Sequence, residues 1–91
     1  MSNDVELFLI AMEECSEVQQ CLSKVLRFGI DNSYNGVTNK EHLETEIGDL
    51  MFLFTLMQQK GIIDSSAVES AMKAKGEKLK RWSNLFEKYS W

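Results

Sequence analysis

The sequence predicts an all-α protein: an antiparallel helical bundle of three main helices with a C-terminal tail. Its 91 residues include no proline and only five glycines, which favours long helices over a turn-rich β fold. Apolar residues make up 44% and charged residues 26%, proportions typical of a globular chain. We therefore expect residues 1–91 to form a single domain, whose core would be thin at this length.

The first helix is expected from about Asp4 to Phe28. Asp4 is a suitable N-cap, and Gly29 is suited to the left-handed conformation that often ends a helix. The following segment, GIDNSYNGVTN at 29–39, is rich in Gly, Asn, Asp and Ser. This composition predicts a loop.

The second helix should begin near Asn39, because Thr38 followed by Glu41 resembles a capping box. It should end at Lys60, since Gly61 follows. We expect this helix to lie antiparallel to the first.

The third helix should begin near Ser66, which forms a second capping-box pattern with Glu69, and should end near Lys80. The tail RWSNLFEKYSW at 81–91 carries both tryptophans. Two alternatives stay open for this tail: it extends the third helix or it forms a short fourth one.

Charge and composition exclude several classes of protein. The net charge of −4 argues against a nucleic-acid or anionic-membrane surface. The N-terminus does not resemble a signal peptide, and the longest apolar run, LMFLFTLM at 50–57, is too short to span a membrane.

Cys15 and Cys21 would lie about 9 Å apart along one helix, too far for a disulfide. Two buried thiols would fit a cytoplasmic protein.

Acidic residues occupy unexpected positions on the first two helices. Glu14 falls inside the apolar stripe of the first helix, and Glu17 lies on its edge one turn later. Glu46 and Asp49 repeat this arrangement on the second helix. The two stripes consist of Leu7, Ala11, Val18, Leu22 and Val25, and of Leu43, Ile47, Leu50, Phe54 and Met57.

A divalent cation would explain these acids, because an unpaired buried carboxylate is strongly disfavoured. Carboxylate oxygens suit Mg²⁺ or Mn²⁺ better than Zn²⁺. One acid pair from each helix could hold the metal between antiparallel neighbours. A di-iron centre is less suitable, because the single histidine, His42, lacks the Glu-x-x-His spacing. The alternative for any single Glu is an ordinary solvated side chain.

Lysines are candidates for binding phosphate oxygens. Lys75 falls within the predicted apolar stripe of the third helix and Lys78 lies on its edge, while Lys24 lies two turns beyond Glu17. These ammonium groups either bind phosphate or extend past the apolar surface to solvent. The stripe of the third helix is formed by Val68, Ala71, Met72 and Leu79.

Two further features have open roles. His42 lies one turn before Glu46 and is a weaker catalytic candidate. Several aromatic residues are most simply core or interface residues, and one of them could stack on a base. These are Phe8, Phe52, Phe54, Trp82 and Phe86.

The acids also resemble a family signature. Glu13-Glu14-x-x-Glu17 followed after 28 residues by Glu46-x-x-Asp49 is similar to the EExxE…ExxD motif of the MazG-like, all-α nucleoside triphosphate pyrophosphohydrolases. The segments SKVLRFG at 23–29, EIGDLMF at 46–52 and KAKGEKLKRW at 73–82 resemble short, phage-type members. The resemblance covers nearly the whole chain.

The resemblance implies an Mg²⁺-dependent enzyme that cleaves an NTP or dNTP between the α and β phosphates. The products would be the monophosphate and pyrophosphate. The resemblance further implies a homodimer or homotetramer in which two or more subunits complete the active sites, in agreement with the thin core. It does not specify the base, because relatives differ in their substrates.

Carried over to this chain, the signature makes Glu14, Glu17, Glu46 and Asp49 the metal ligands. Glu13 would orient the attacking water, contact a metal or hydrogen-bond a ligand, and with Glu14 it forms the predicted catalytic pair. Mg²⁺ would bridge the acidic protein and the triphosphate. The lysines would neutralise charge on the pyrophosphate leaving group, and no covalent nucleophile is apparent.

Two alternatives to an enzyme remain. One is a non-catalytic helical dimerisation module or nucleotide sensor, which would be expected to have lost at least one ligand. The other is a structural bundle in which the acids pair with Lys75 and Lys78 and bind no metal.

Overall fold

The computed structural model describes residues 2–86 and is mainly helical. Three helices follow one another along the chain: α1 (Ser2–Phe28), α2 (Asn39–Gln59) and α3 (Ser65–Trp82). Between α1 and α2 lies an antiparallel two-stranded sheet, β1 (Ser33–Tyr34) and β2 (Val37–Thr38). The predicted mainly helical fold is confirmed, whereas the small sheet was not predicted.

Helix α1 starts earlier than predicted and ends where predicted. Because it begins at Ser2, Asp4 lies within its first turn and is not the N-cap; an acid there still interacts favourably with the helix dipole. At the other end Gly29 has φ of 96°. Its N–H donates to the Val25 carbonyl at 2.9 Å, which is the expected left-handed helix stop.

The two strands form a tight hairpin around Asn35 and Gly36. These residues have φ values of 55° and 79°, the positive values that a type I′ turn requires at both central positions. Tyr34 pairs with Val37 on either side of the turn. The predicted loop is therefore a hairpin with a defined register.

The capping box of α2 is confirmed. The Glu41 N–H donates to Thr38 Oγ1 at 3.1 Å, and the Thr38 N–H donates to Glu41 Oε1 at 3.0 Å. The helix ends at Gln59, and Gly61 follows with φ of 74°. The Ile62 N–H reaches back five residues to the Met57 carbonyl at 2.9 Å, as in a Schellman motif.

Helix α3 differs from the prediction at both ends. Its N-cap is Asp64, whose carboxylate accepts from the Ser66 N–H at 3.1 Å, so Ser66 is not the cap. The helix runs past Lys80 to Trp82, and Ser83 caps it with a backbone hydrogen bond to the Leu79 carbonyl. The tail therefore extends α3 by its first residues, and 87–91 lie outside the described residues.

The chain divides into two compact units, the first ending at Leu56 and the second beginning at Met57. The first unit holds α1, the hairpin and most of α2, and its buried side chains are Leu7, Ala11 and Leu53. In the second unit, Met57 is buried and α3 has no buried residue.

The apolar stripes are narrower than predicted. On α2, Met57 of the predicted stripe is buried together with Leu53, which was not predicted, whereas Phe54 is 40% exposed. Ile47 and, on α1, Leu22 are exposed as well. The half-buried positions Leu43, Glu46 and Leu50 are spaced by three and four residues, which places Glu46 within the stripe. On α3, the expected stripe residues Ala71 and Met72 are exposed.

Both cysteines are free thiols, as the spacing predicted. Cys15 is exposed and Cys21 is half-buried, so the expectation of two buried thiols is wrong. Among residues 2–86, no helix combines the length and hydropathy needed to cross a membrane.

Candidate metal centre

Three of the four predicted ligands come together between α1 and α2. One carboxylate oxygen from each of Glu14, Glu17 and Glu46 lies within 4.8 Å of the others, and all three residues are half-buried. Glu14 and Glu17 are one turn apart on α1, so they point the same way. The short connection between the helices returns α2 antiparallel along α1 and places Glu46 opposite this pair.

Two oxygens of this acidic cluster (Glu14, Glu17 and Glu46) are buried without a hydrogen-bond partner. They are Glu14 Oε2 and Glu46 Oε2. Carboxylates only accept hydrogen bonds when ionised, so these oxygens cannot satisfy one another. Within the first unit, no lysine or arginine forms a salt bridge with the three acids. The cluster therefore lacks a positive partner from its own surroundings.

A proton on Glu46 can stand in for the missing positive partner. The pKa of Glu46 is raised to about 7, chiefly by hydrogen bonding to Glu17 and next to Glu14, with burial and the two neighbouring charges adding to the effect. These hydrogen bonds exist only when a proton is shared, which is why the ionised oxygens have no partner. Near neutral pH, Glu46 therefore exchanges readily between a protonated and an ionised form.

The residues present fit a hard divalent cation. The donor set consists of carboxylate oxygens, which suit Mg²⁺ and Mn²⁺. A cation would satisfy the two buried oxygens and offset the repulsion among three ionised acids. Glu14, Glu17 and Glu46 are the side chains that would hold it.

Asp49 and Glu13 occupy different surroundings from the cluster. Asp49 follows Glu46 by one turn of α2, is exposed and does not belong to the group whose oxygens approach within 4.8 Å. Glu13 adjoins Glu14 but is exposed, because successive helical residues point about 100° apart. The roles of both residues remain predictions.

The three predicted phosphate-binding lysines lie in two separate regions of the chain. Lys24 is exposed near the end of α1 in the first unit. Lys75 and Lys78 are exposed on α3 in the second unit. Lys75 lies seven residues after Val68 and four before Leu79, the two half-buried residues of the predicted stripe, but its own side chain is exposed to solvent.

A pocket next to the hairpin adds residues that the sequence reasoning missed. This hairpin pocket has a volume of about 360 Å³, within the roughly 300–1,000 Å³ range of small-molecule sites. Lys24 and Phe28 line it from α1, Asn32, Ser33 and Tyr34 from the connection, and Asn39 and His42 from α2. The available signal was the Asn35-Gly36 pair between short β-prone segments, which is typical of a hairpin.

Neither a protein-family model, nor a curated protein, nor a solved structure matches the chain. The resemblance to the MazG-like family remains an interpretation of Glu13–Glu17, Glu46–Asp49 and their flanking segments.

Proposed function

We propose that this chain is an Mg²⁺-dependent nucleoside triphosphate pyrophosphohydrolase. It would hydrolyse an NTP or dNTP between the α and β phosphates and release the monophosphate and pyrophosphate. The observation that carries the proposal is the acidic cluster. Three carboxylates from two helices converge within 4.8 Å, and two of their oxygens are buried without partners.

A catalytic role accounts for the cluster better than a structural one. Packing alone would favour apolar residues at these stripe positions, since buried charges without partners lower stability. A bound cation adds the positive charge that an acidic chain needs to bind a triphosphate. Bound Mg²⁺ would polarise the scissile phosphate and lower the pKa of the attacking water.

Side chains of the protein would then bind the metal, contact the attacking water and stabilise the leaving group. Glu14, Glu17, Glu46 and Asp49 would provide the ligands, and Glu13, exposed beside Glu14, would orient the attacking water, contact a metal or hydrogen-bond a ligand. Lysine ammonium groups would stabilise charge on the departing pyrophosphate. Lys24, Lys75 and Lys78 are the predicted candidates.

We further propose that the functional form is a homodimer or homotetramer. Few apolar side chains are buried, and many large ones are exposed on both long helices. On α1, Val5, Phe8 and Met12 are spaced by three and four residues and so share one face, and an exposed apolar face typically marks an interface. A second copy of the chain is the occupant that agrees with the resemblance. The exposed apolar residues of α1 and α2 include Val5, Phe8, Leu9, Met12, Met51, Phe52 and Phe54.

The direct test is pyrophosphate release from a panel of dNTPs and NTPs, with Mg²⁺ and with EDTA. We expect Mg²⁺-dependent release from the wild type and its loss in Glu14→Gln. The decrease should exceed the roughly 10–100-fold cost typical of losing an outer partner of a metal ligand. Glu6→Gln is the matched control, because Glu6 is exposed on the same helix and outside the cluster.

Each outcome has a definite meaning. Full activity in Glu14→Gln would refute the metal assignment, and a similar loss in Glu6→Gln would refute the argument from helix faces. Mg²⁺ binding without turnover of any nucleotide would favour the sensor alternative. Absence of Mg²⁺ binding, measured by calorimetry, would leave a structural bundle.

A further inference from the structure

The hairpin pocket lies on the same helix faces as the acidic cluster. On α1, Glu17, Lys24 and Phe28 are spaced by seven and four residues; on α2, Asn39 and His42 precede Glu46 by seven and four. Residues at these spacings share one face of a helix. Lys24 is therefore about 10 Å, and His42 about 6 Å, along the helix axes from the acids.

Cys21 lies between the acidic cluster and the hairpin pocket along α1. It lies between Glu17 and Lys24 on the shared face of α1 and is half-buried. Burial raises the pKa of its thiol most strongly, the Glu46 carboxylate raises it further, and the Lys24 ammonium lowers it. Cys21 is thus within electrostatic reach of Glu46 in the acidic cluster and of Lys24 in the hairpin pocket.

The lining of the hairpin pocket has the chemistry of a nucleoside site. Phe28 and Tyr34 provide aromatic faces, and Tyr34 is 77% exposed, so its ring is accessible for stacking. The Arg27 guanidinium lies 5.0 Å from the centre of the Phe28 ring and restrains it. Successive bases stack on such exposed aromatic side chains in many nucleic-acid-binding proteins.

Polar groups in the hairpin pocket are available to form hydrogen bonds with the edge of a nucleobase. Asn32 and Ser33 make no side-chain hydrogen bond with the described residues. Asn39 donates through Nδ2 to the Gly29 carbonyl at 2.8 Å, which orients its amide and leaves Oδ1 as an acceptor. Convergent amide groups of this kind determine specificity in otherwise apolar pockets.

The pocket is also preorganised and suitably charged. The backbone N–H groups of Asn39 and Lys40 donate to the carbonyls of Asn32 and Ile30 at 2.9 and 3.0 Å, so the connection is tied to the start of α2. The lining contains Lys24 and His42 but no acid. An anionic ligand would therefore meet the Lys24 ammonium and no carboxylate here, in a chain whose net charge is −4.

From these observations, and resting on the proposed function, we infer that the hairpin pocket binds the nucleoside end of the substrate. The base would stack on Tyr34 and Phe28, with its edge toward Asn32 and Asn39. Lys24 and His42 would lie on the side of the pocket toward the acidic cluster, next to the phosphates.

The test uses nucleosides without a triphosphate, so that binding is separated from hydrolysis. We would titrate the full chain with 2′-deoxynucleosides and their 5′-monophosphates in EDTA and follow NMR signals. For at least one base, we expect shifts of the Asn32 and Asn39 side-chain amides and of the Tyr34 ring. No shift at these signals with any of the compounds would overturn the inference.

Matched variants in the hairpin sharpen the test. Tyr34→Ala should weaken monophosphate binding about tenfold, as expected for the loss of one stacking ring, and Tyr34→Phe should restore it. Val37→Ala is the control, because Val37 pairs with Tyr34 across the hairpin but does not line the pocket. If Tyr34→Ala does not fold, Asn32→Ala replaces it, and unchanged binding in the folded variant refutes the site.

The two proposals fail separately. Mg²⁺-dependent hydrolysis without pocket shifts would retain the enzyme and refute the nucleoside site. Pocket shifts without hydrolysis would retain the nucleoside site and refute the enzyme. Glu14→Gln should keep the pocket shifts in EDTA, because the pocket does not include the acidic cluster.

Discussion

The carboxyl group of Glu46 links protonation, stability and metal binding at a single position. Its pKa in the folded chain is about 7, above the ordinary value of 4.5, chiefly because of hydrogen bonding to Glu17 and then Glu14. Between these values the folded state holds more protons than the unfolded state. Stability therefore falls as pH rises through this window.

We predict that the metal-free protein has a higher Tm at pH 5 than at pH 8. The favourable contribution of Glu46 is fully present below about 4.5 and is lost as pH rises through about 7. Thermal unfolding in EDTA across this range measures the effect. Glu46→Gln should flatten the decrease, because glutamine stays neutral, and an equally steep decrease in the variant would contradict this origin.

Mg²⁺ should act most strongly at the high end of this pH range. The ionised carboxylates bind the cation, whereas a proton on Glu46 competes with it. We predict that 10 mM MgCl₂, about the concentration that would saturate a millimolar site, raises the Tm more at pH 8 than at pH 5. A rise that is equal at both pH values, or that persists in Glu14→Gln, would show that Mg²⁺ binds elsewhere.

Asp49 should behave differently from Glu46. It is exposed and lies outside the acidic cluster. We predict that Asp49→Asn reduces Mg²⁺-dependent turnover at least about tenfold, as for a group that supports a metal site. The Tm in EDTA should stay unchanged. Wild-type turnover in Asp49→Asn would remove it from the ligand set.

At the scale of elements, the capping box connects the hairpin to α2. Thr38 ends β2 and caps α2, so one residue orients both the hairpin and the helix that carries Glu46. Its hydroxyl also donates to Glu41 Oε1 at 3.0 Å. The backbone and side-chain hydrogen bonds from Thr38 lower the pKa of Glu41.

We predict that Thr38→Ala lowers the free energy of unfolding by about 1 kcal/mol at pH 7, the usual cost of losing such a cap. The difference from wild type should shrink as pH falls below 4.5, because a lowered folded-state pKa stabilises only while Glu41 is ionised. Thr45→Ala is the control, since its hydroxyl donates only to the Glu41 carbonyl. Equal losses in both variants would contradict a capping role.

Helix ends that depend on residues close together in the chain were predictable from the sequence. Gly29 and the Thr38–Glu41 pair determine their helix ends through bonds within four residues. The predicted start of α3 was wrong because Asp64 and Ser66 are both suitable N-cap residues. Asp64, which immediately precedes the helix, is the N-cap. Such competition between neighbouring caps depends on backbone geometry that composition does not specify.

The candidate site was predictable only in part, for a related reason. Helical periodicity and a short connection bring Glu14, Glu17 and Glu46 together, so the cluster follows from spacing. The hairpin pocket depends on how the connection folds back against the start of α2, through contacts such as the Asn39 amide with the Gly29 carbonyl. No periodic pattern encodes a contact of that kind.

At the scale of the whole molecule, few apolar side chains of the described residues are buried and many large ones are exposed. Leu7, Ala11, Leu53 and Met57 are the buried apolar residues of the described chain, while Phe52 is 65% exposed. A 91-residue chain with so small a core would gain stability if copies associated as proposed. The proposed oligomer therefore concerns folding as well as catalysis.

We predict that the wild type has a solution mass about two or four times the 10.5 kDa of one chain, and that Phe52→Lys reduces it to that of one chain. A lysine placed in an apolar interface would bury an unpaired charge. Gln20→Lys is the matched control, because it adds the same charge on an exposed position flanked one turn away by Ser16 and Ser23. Light scattering coupled to size exclusion measures the mass.

Activity of the same variants then tests whether one chain contains a whole site. If Phe52→Lys is monomeric, folded by circular dichroism and inactive, residues from a second copy complete the acidic cluster or the hairpin pocket. If it is monomeric and fully active, Glu14, Glu17, Glu46 and Asp49 suffice within one chain. A wild type that is itself monomeric would refute the proposed oligomer, and the exposed apolar faces of α1 and α2 would then require a different partner.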